Sequence, residues 1–275
     1  MPWDLPQDMI SATVELEQRQ IDGTSIAGTG FLVNDPTPDG RPRTVLVTAN
    51  HVFERMPLSQ VSVGYRTQAK DGSWRFTPLL ILIRDGGKDL WRRDAVHDVA
   101  AIEVKAPEAF AKAAIPLGWL ASDETFTRYR IGPGDEMMVL GYPKGLSANT
   151  AGFPILRSGR VASPIEAAEA NPSFLLDFRV FPGNSGGPVF LVDAERPLSG
   201  AAAAPQVVAG MLTEQVEIDE QRLEIGVVID AKFIRDTLCL LDKPGDDATP
   251  APARAVGLAP VSSDASAVVG EAEPD

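Results

Sequence analysis

Short apolar runs separated by turn residues dominate the chain. In the first half they are Gly30–Val33, Thr44–Thr48, Val61–Tyr65, Pro78–Ile83 and Ala100–Val104. In the second half they are Met137–Gly141, Phe174–Phe178, Val207–Leu212 and Ile225–Ile229. Each has the length of one strand and is rich in β-branched or aromatic residues, and Asp71-Gly72 is a hairpin signal. Many short strands with few helical patterns between them predict an all-β barrel or sandwich. Two helices are predicted: Glu108–Ala114 after Pro107, and Ala231–Leu241 after Asp230, a suitable N-cap. Residues 105 to 130 carry few strand signals and read as the connection between two β halves. From Asp242 onward there is no aromatic residue, and acids outnumber bases. Such a segment buries too little apolar surface to offset its ordering entropy, so a disordered acidic tail is predicted over 242–275.

Composition narrows the function. The 275 residues are enough for one large or two small domains, and 44% hydrophobic with 23% charged content is globular. The net charge of −13 repels phosphate backbones and argues against nucleic-acid binding. One cysteine, Cys239, forbids an internal disulfide, and with two histidines it makes no convincing zinc site. No metal and no cofactor is expected. The chain has no apolar run of membrane-spanning length, so no membrane partner is expected. The first residues are acidic where a secretory signal needs a basic start, so a cytoplasmic location is expected. Nothing in the sequence speaks to oligomeric state.

The chemistry concentrates in Phe181-Pro182-Gly183-Asn184-Ser185-Gly186-Gly187-Pro188. Three glycines and two prolines around one serine mark a backbone of special geometry rather than an ordinary turn. The stretch also fits G-x-S-x-G, the nucleophile elbow of α/β-hydrolases. That fold places its histidine after the serine and follows the elbow with a helix. Here His51 and His97 both precede Ser185, and Gly186-Gly187-Pro188 starts a helix poorly, so the elbow reading fails. What remains is the order histidine, aspartate, serine on a β-rich chain. His51 ends the run Val45–Asn50, and Asp98 opens the run that continues through Ile102. His97 competes for the same role, but strand neighbours point to opposite faces, so it should not pair with Asp98.

Thr48-Ala49-Asn50-His51-Val52, Asp98-Val99-Ala100 and Gly183-Asn184-Ser185-Gly186-Gly187-Pro188 resemble the three motifs of chymotrypsin-like, trypsin-type serine peptidases. Gly28–Val33, Gly159–Ser163, Asp177 and Ile225–Asp230 resemble the HtrA/Deg-like branch, and the likeness runs from about residue 9 to 241. It implies two six-stranded antiparallel β-barrels, residues 1–118 carrying His51 and Asp98, and residues 119–241 carrying Ser185 and a short C-terminal helix. It implies His51 as general base, Asp98 as its orienter, Ser185 as nucleophile, and an oxyanion hole at Gly183, Asn184 and Ser185. It also implies that Thr213, Glu214 and Gln215 pair with an extended protein or peptide substrate, with Thr213 near Asp98. Arg179 stands at one wall of the specificity pocket, either favouring an acidic side chain or simply exposed. That branch usually carries a PDZ module where this chain has its polar tail, so PDZ-based regulation is not carried over. Asn184 has no carboxylate for a freed N-terminus, so trypsin-style zymogen activation is not expected. Two rivals stay open: a silent peptide-binding module on the same groove, and an esterase.

Overall fold

The structure is a computed structural model that describes residues 4–94, 96–165, 171–193, 206–218, 221–243 and 255–258. The chain begins with helix α1 (Asp4–Ala12) and then runs through β1 (Thr13–Arg19), β2 (Ser25–Asn34) and β3 (Thr44–Ala49). A single helical turn, α2 (Asn50–Glu54), leads into β4 (Gln60–Gln68) and β5 (Trp74–Leu82). The short strands β6 (Arg84–Asp85), β7 (Lys88–Asp89) and β8 (Arg92–Asp94) precede β9 (Val99–Glu103). The connection holds α3 (Glu108–Ala113), β10 (Ile115–Pro116) and α4 (Asp123–Tyr129). The second lobe is β11 (Glu136–Gly141), β12 (Ile155–Val161), β13 (Ser173–Asp177), β14 (Pro188–Leu191), β15 (Val207–Ile218) and β16 (Gln221–Asp230). It ends in α5 (Ala231–Cys239), and a last strand, β17 (Ala255–Leu258), returns to the first lobe.

The fold is mostly β and two-lobed. The second lobe closes as a six-stranded barrel, β11-β12-β13-β16-β15-β14. The first lobe is a nine-stranded sheet in the order β17-β5-β4-β1-β2-β3-β9-β8, with β10 on β2, and its path does not close among the described residues. So the second barrel forms as expected, and the first is an open sheet. Both of its faces are covered there: Leu16, Leu46 and Val63 on one face and Phe31 and Val47 on the other are all fully buried. Helix α5 follows β16 because the Asp230 carboxylate accepts the Lys232 N–H at 2.8 Å. The helix packs on β8, β9 and β15, so it bridges the lobes.

Every run read as a strand is one. The sequence reading missed β1, β12 and β14, and the helices α1, α2 and α4. Cys239, expected on the apolar side of α5, is exposed instead. The tail also needs correction. Arg43 bonds Asp35 and donates from Nη1 to Asp242 Oδ1 at 2.7 Å, so Asp242 belongs to the fold. Residues 255–258 extend the β5 edge, with Leu258 opposite Leu79, and the rest of 244–275 lies outside the described residues.

One buried cation ties the N-terminus to the second lobe. Arg66 is 2% exposed. Its Nη1 donates to the Tyr142 hydroxyl at 2.8 Å and the Gly152 carbonyl at 3.1 Å. Its Nη2 donates to the carbonyls of Ile10, Ser11 and Thr13 at 2.8 to 3.2 Å. Three of these bonds, to the Tyr142 hydroxyl and the Gly152 and Thr13 carbonyls, are buried, so their acceptors have no water to fall back on. Arg66→Met should therefore cost more than about 3 kcal/mol of unfolding free energy. Urea titration should show a lower midpoint at an unchanged m-value.

Candidate active site

Strand β3 carries the chain into α2, which places His51 at the mouth of the first lobe. Asp98 sits in the turn between β8 and β9 in the left-handed region, at φ 55. The turn is built by Asp94, whose carboxylate accepts the N–H groups of Val96 and His97 at 3.1 Å and bonds His97 Nδ1. Asp98 then grips His51 twice: Oδ1 accepts the His51 N–H at 2.8 Å, and Oδ2 lies 2.7 Å from Nδ1. A carboxylate accepts, so Nδ1 carries the proton and Nε2 is left with its lone pair. The Asp98 carbonyl accepts the Asn50 N–H, and the Asn50 side chain is fixed by Trp91 and Glu54. His97 is buried and stacked on Phe233 at 3.9 Å, and its Nδ1 bonds Asp94. Because His97 and Asp98 lie in a turn and not in a strand, it is this bond rather than strand alternation that occupies His97.

Ser185 lies in the loop between β13 and β14. Gly183 and Gly186 have φ values of 94 and 89. A Cβ on Gly183 would stand 2.3 Å from the Tyr142 carbonyl, and one on Gly186 would stand 1.9 Å from the Thr29 carbonyl. Both positions demand glycine. The Ser185 hydroxyl donates to the Thr213 carbonyl at 2.8 Å, so in this state it is not bonded to His51. The Pro182 carbonyl is held by the Lys144 N–H at 2.6 Å. Because N–H and C=O of a trans peptide point opposite ways, this turns the Gly183 N–H toward the other side of the loop. Among the described residues, neither the Gly183 nor the Ser185 N–H has an acceptor. Asn184 differs: its N–H bonds the Phe181 carbonyl at 3.0 Å, so it is not a free donor as expected.

Thr29 on β2 joins the lobes at this loop. Its N–H donates to the Ser185 carbonyl at 2.9 Å, and its hydroxyl donates to the Gly183 carbonyl at 2.7 Å. The same hydroxyl accepts the Tyr142 N–H at 3.1 Å. Nothing in the sequence reading singled out Thr29, although the Gly28-Thr29-Gly30 spacing marks a close backbone approach. Thr213, Glu214 and Gln215 do lie together on β15, where a register shift leaves Thr213 without a ladder partner on β16. The Thr213 hydroxyl donates to the Val227 carbonyl at 3.3 Å. Arg179 is exposed and pairs with Glu224 at 3.2 Å. Among the described residues, no three His, Cys, Asp or Glu side chains gather as metal ligands.

A histidine held by a carboxylate, a serine hydroxyl and two N–H groups without acceptors among the described residues are the kinds of group that nucleophilic attack on a carbonyl needs. The sequence matches the trypsin-like peptidase domain family over residues 28–196. Among solved structures, the fold is similar to the HtrA-type protease AlgW with a tripeptide, at 16% identity and TM-score 0.54. That match covers 88% of this chain and 64% of the other, so the chain spans less than two thirds of that protein's length. AlgW with a decapeptide matches at 15% identity and TM-score 0.51, covering 88% and 68%. The active form of the Rv3671c protease from M. tuberculosis matches at 18% identity and TM-score 0.44, covering 92% and 86%. No curated protein matches the sequence.

Behind the loop that holds Pro182 lies a buried acid. Glu15 is 9% exposed, and its Oε1 lies 3.7 Å from where a Cβ on Gly145 would sit. Burial, reinforced by Glu17, pushes its carboxyl up to about 8. An acid whose folded-state value is raised binds more protons folded than unfolded. Its contribution to stability is therefore complete below the unfolded value and is lost as pH rises through 8. Glu15→Gln should remove this slope, at most about 1.4 kcal/mol per pH unit, and be more stable than the parent at pH 8 and above. Denaturant melts across pH 5 to 9 would check it.

Proposed function

The chain belongs to the trypsin-like peptidase family, and from that we propose that it is a serine endopeptidase acting on extended protein segments. The observation that carries this reading is the double grip of Asp98 on His51, which fixes the ring and engages Nδ1 so that Nε2 is the nitrogen left for a substrate-side role. Ser185 leaves the Thr213 carbonyl by rotation about its side-chain bond and attacks the substrate carbonyl carbon, and His51 Nε2 takes the hydroxyl proton. The negative oxygen is held by the Gly183 and Ser185 N–H groups, and His51 returns the proton to the leaving amine. Water then hydrolyses the acyl-enzyme by the same base, so no metal or cofactor enters any step. The Thr213 carbonyl, vacated by Ser185, accepts a substrate N–H, and β15 supplies the template for an added strand. The AlgW structures hold peptides, and that likeness supports a peptide as the occupant here.

The Ser185–Thr213 bond also favours a second reading, a silent peptide-binding module on the same groove. The two part on one experiment: incubation with a fluorophosphonate probe and a denatured protein pool. Labelling of Ser185, with cleaved bonds mapped by mass spectrometry, is expected, and Ser185→Ala should lose both. Peptide binding with neither labelling nor cleavage would mean the silent module. Asp98→Asn should lower kcat by about 10³–10⁴-fold through loss of the Nδ1 tautomer.

Thr29→Val keeps the shape of the side chain and removes the hydroxyl that holds Gly183 and Tyr142. It should lower kcat by about 10²-fold while moving KM much less, because it displaces the oxyanion donors rather than the substrate strand. Steady-state kinetics on one peptide would separate the two constants.

A further inference from the structure

We propose that Arg157, Arg179 and Lys144 form a carboxylate-binding subsite around Phe181, making this enzyme select acidic side chains on the acyl side of the bond it cuts. The inference rests on the peptidase reading above and names its substrate class. Phe181 lies in the nucleophile loop, in the stretch that the family resemblance places at the wall of the specificity pocket. Three cations converge on its ring: Arg179 Cζ at 5.2 Å, Arg157 Cζ at 5.5 Å and Lys144 Nζ at 6.0 Å from the centroid. In a chain of net charge −13, this is local charge against the global trend.

The cluster is built rather than scattered. Arg157 comes from β12, lies 4.3 Å over the Phe178 ring, and donates from Nη1 to the Arg179 carbonyl at 2.7 Å. Its guanidinium is thereby fixed across the wall, and burial together with the Arg179 charge disfavours its protonated form. Lys144 holds the Pro182 carbonyl through its own backbone, so its position is tied to the same loop. Among the described residues, Glu224 is the one carboxylate at ion-pair distance from any of the three. It pairs with Arg179 between two exposed side chains, a bond that solvent and salt screen readily. Neither Arg157 nor Lys144 has an ion-pair partner among the described residues. Like charges gathered on one ring repel, and a substrate carboxylate relieves that repulsion. Arg157 spends Nη1 on the Arg179 carbonyl, and its stacked guanidinium presents the Nε–Nη2 edge to bind both oxygens of such a group.

The test uses three matched peptides that differ only in a Glu, Gln or Leu on the acyl side of the scissile bond. The parent enzyme at low salt should cleave the Glu peptide at least tenfold better than the Gln peptide in kcat/KM, and 0.5 M NaCl should shrink that ratio. The ratio should fall toward one in Arg157→Gln and, as a variant at an exposed position, in Lys144→Gln. Equal cleavage of the Glu and Gln peptides, or a ratio unmoved by either variant, would overturn the subsite. Binding of the same peptides to full-length Ser185→Ala, read by calorimetry, decides the matter without turnover. Tighter binding of the Glu peptide there supports the subsite, and equal binding of Glu and Gln refutes it. Failure of every peptide to be cleaved, with no labelling of Ser185, would instead fail the peptidase reading.

Discussion

A single buried threonine sets the relation between the two lobes. Thr29 spends its amide on the Ser185 carbonyl, its hydroxyl proton on the Gly183 carbonyl, and its hydroxyl lone pair on the Tyr142 amide. Its own carbonyl accepts the Thr48 hydroxyl at 2.7 Å, so every polar group of the residue is used. Thr29 is fully buried, and a donor or acceptor left unpaired at such a place costs about 1–3 kcal/mol. The Ser185 loop is therefore held by the first lobe as well as by its own barrel, where the Gly186 N–H donates to Leu212 and the Leu212 N–H to Gly187. His51 and Asp98 hang from β3 and β9, which continue the sheet outward from β2 in that order. His51 and Ser185 thus share one hydrogen-bonded frame although they belong to different lobes.

A second polar knot lies behind the first. Tyr142 gives its amide to Thr29 and its ring hydroxyl to the Gly152 carbonyl, while that hydroxyl accepts Arg66. Arg66 in turn reaches the end of α1 and the start of β1. Burial holds the Tyr142 hydroxyl neutral, and Arg66 opposes that shift without overcoming it. The segment Tyr142–Gly145 that positions Pro182 is thus braced from the N-terminus, through a cation whose partners are carbonyls and a phenol rather than a carboxylate. Such a brace has direction as well as strength, since each guanidinium N–H accepts few geometries.

The site residues were legible because their backbone demands are local. Gly183 and Gly186 advertise close approach, and His51 and Asp98 each sit at the edge of an apolar run. The strands that escaped the sequence reading carry misleading patterns. β1 reads Thr-Val-Glu-Leu-Glu-Gln-Arg, with Glu15 and Gln18 buried beside Val14 and Leu16, so its polar residues hid a strand covered on both faces. β12 is interrupted by Gly159, whose bare Cα faces the Asp177 carbonyl, and β14 opens on a proline. Long-range partners were beyond reach for a different reason. That Thr29 meets Gly183, or Arg66 meets Tyr142, depends on how the two lobes dock. Asn184 read as a donor because of its neighbours, yet its amide closes the turn onto Phe181. The tail read as structureless from composition alone, which is blind to an open sheet edge on β5 that takes four residues as an added strand.

Backbone strain gathers where the chemistry is read. Among the described residues, four that are not glycine occupy the left-handed region: Asp98, Arg130, Lys144 and Glu224. Arg130 ends α4, an ordinary place for such a turn. The other three make contacts at the candidate site: Asp98 grips the histidine, Lys144 holds the Pro182 carbonyl, and Glu224 pairs with Arg179. A left-handed side chain is uncommon and persists only where surrounding contacts over-determine it. At Asp98 these contacts are the Asp94 turn and two bonds to His51, and at Lys144 they are the Pro182 carbonyl and the turn closed by Gly145 onto Tyr142. Relaxing either residue would break the hydrogen bonds to His51 or to Pro182, so the strain is held by the same bonds that align the site.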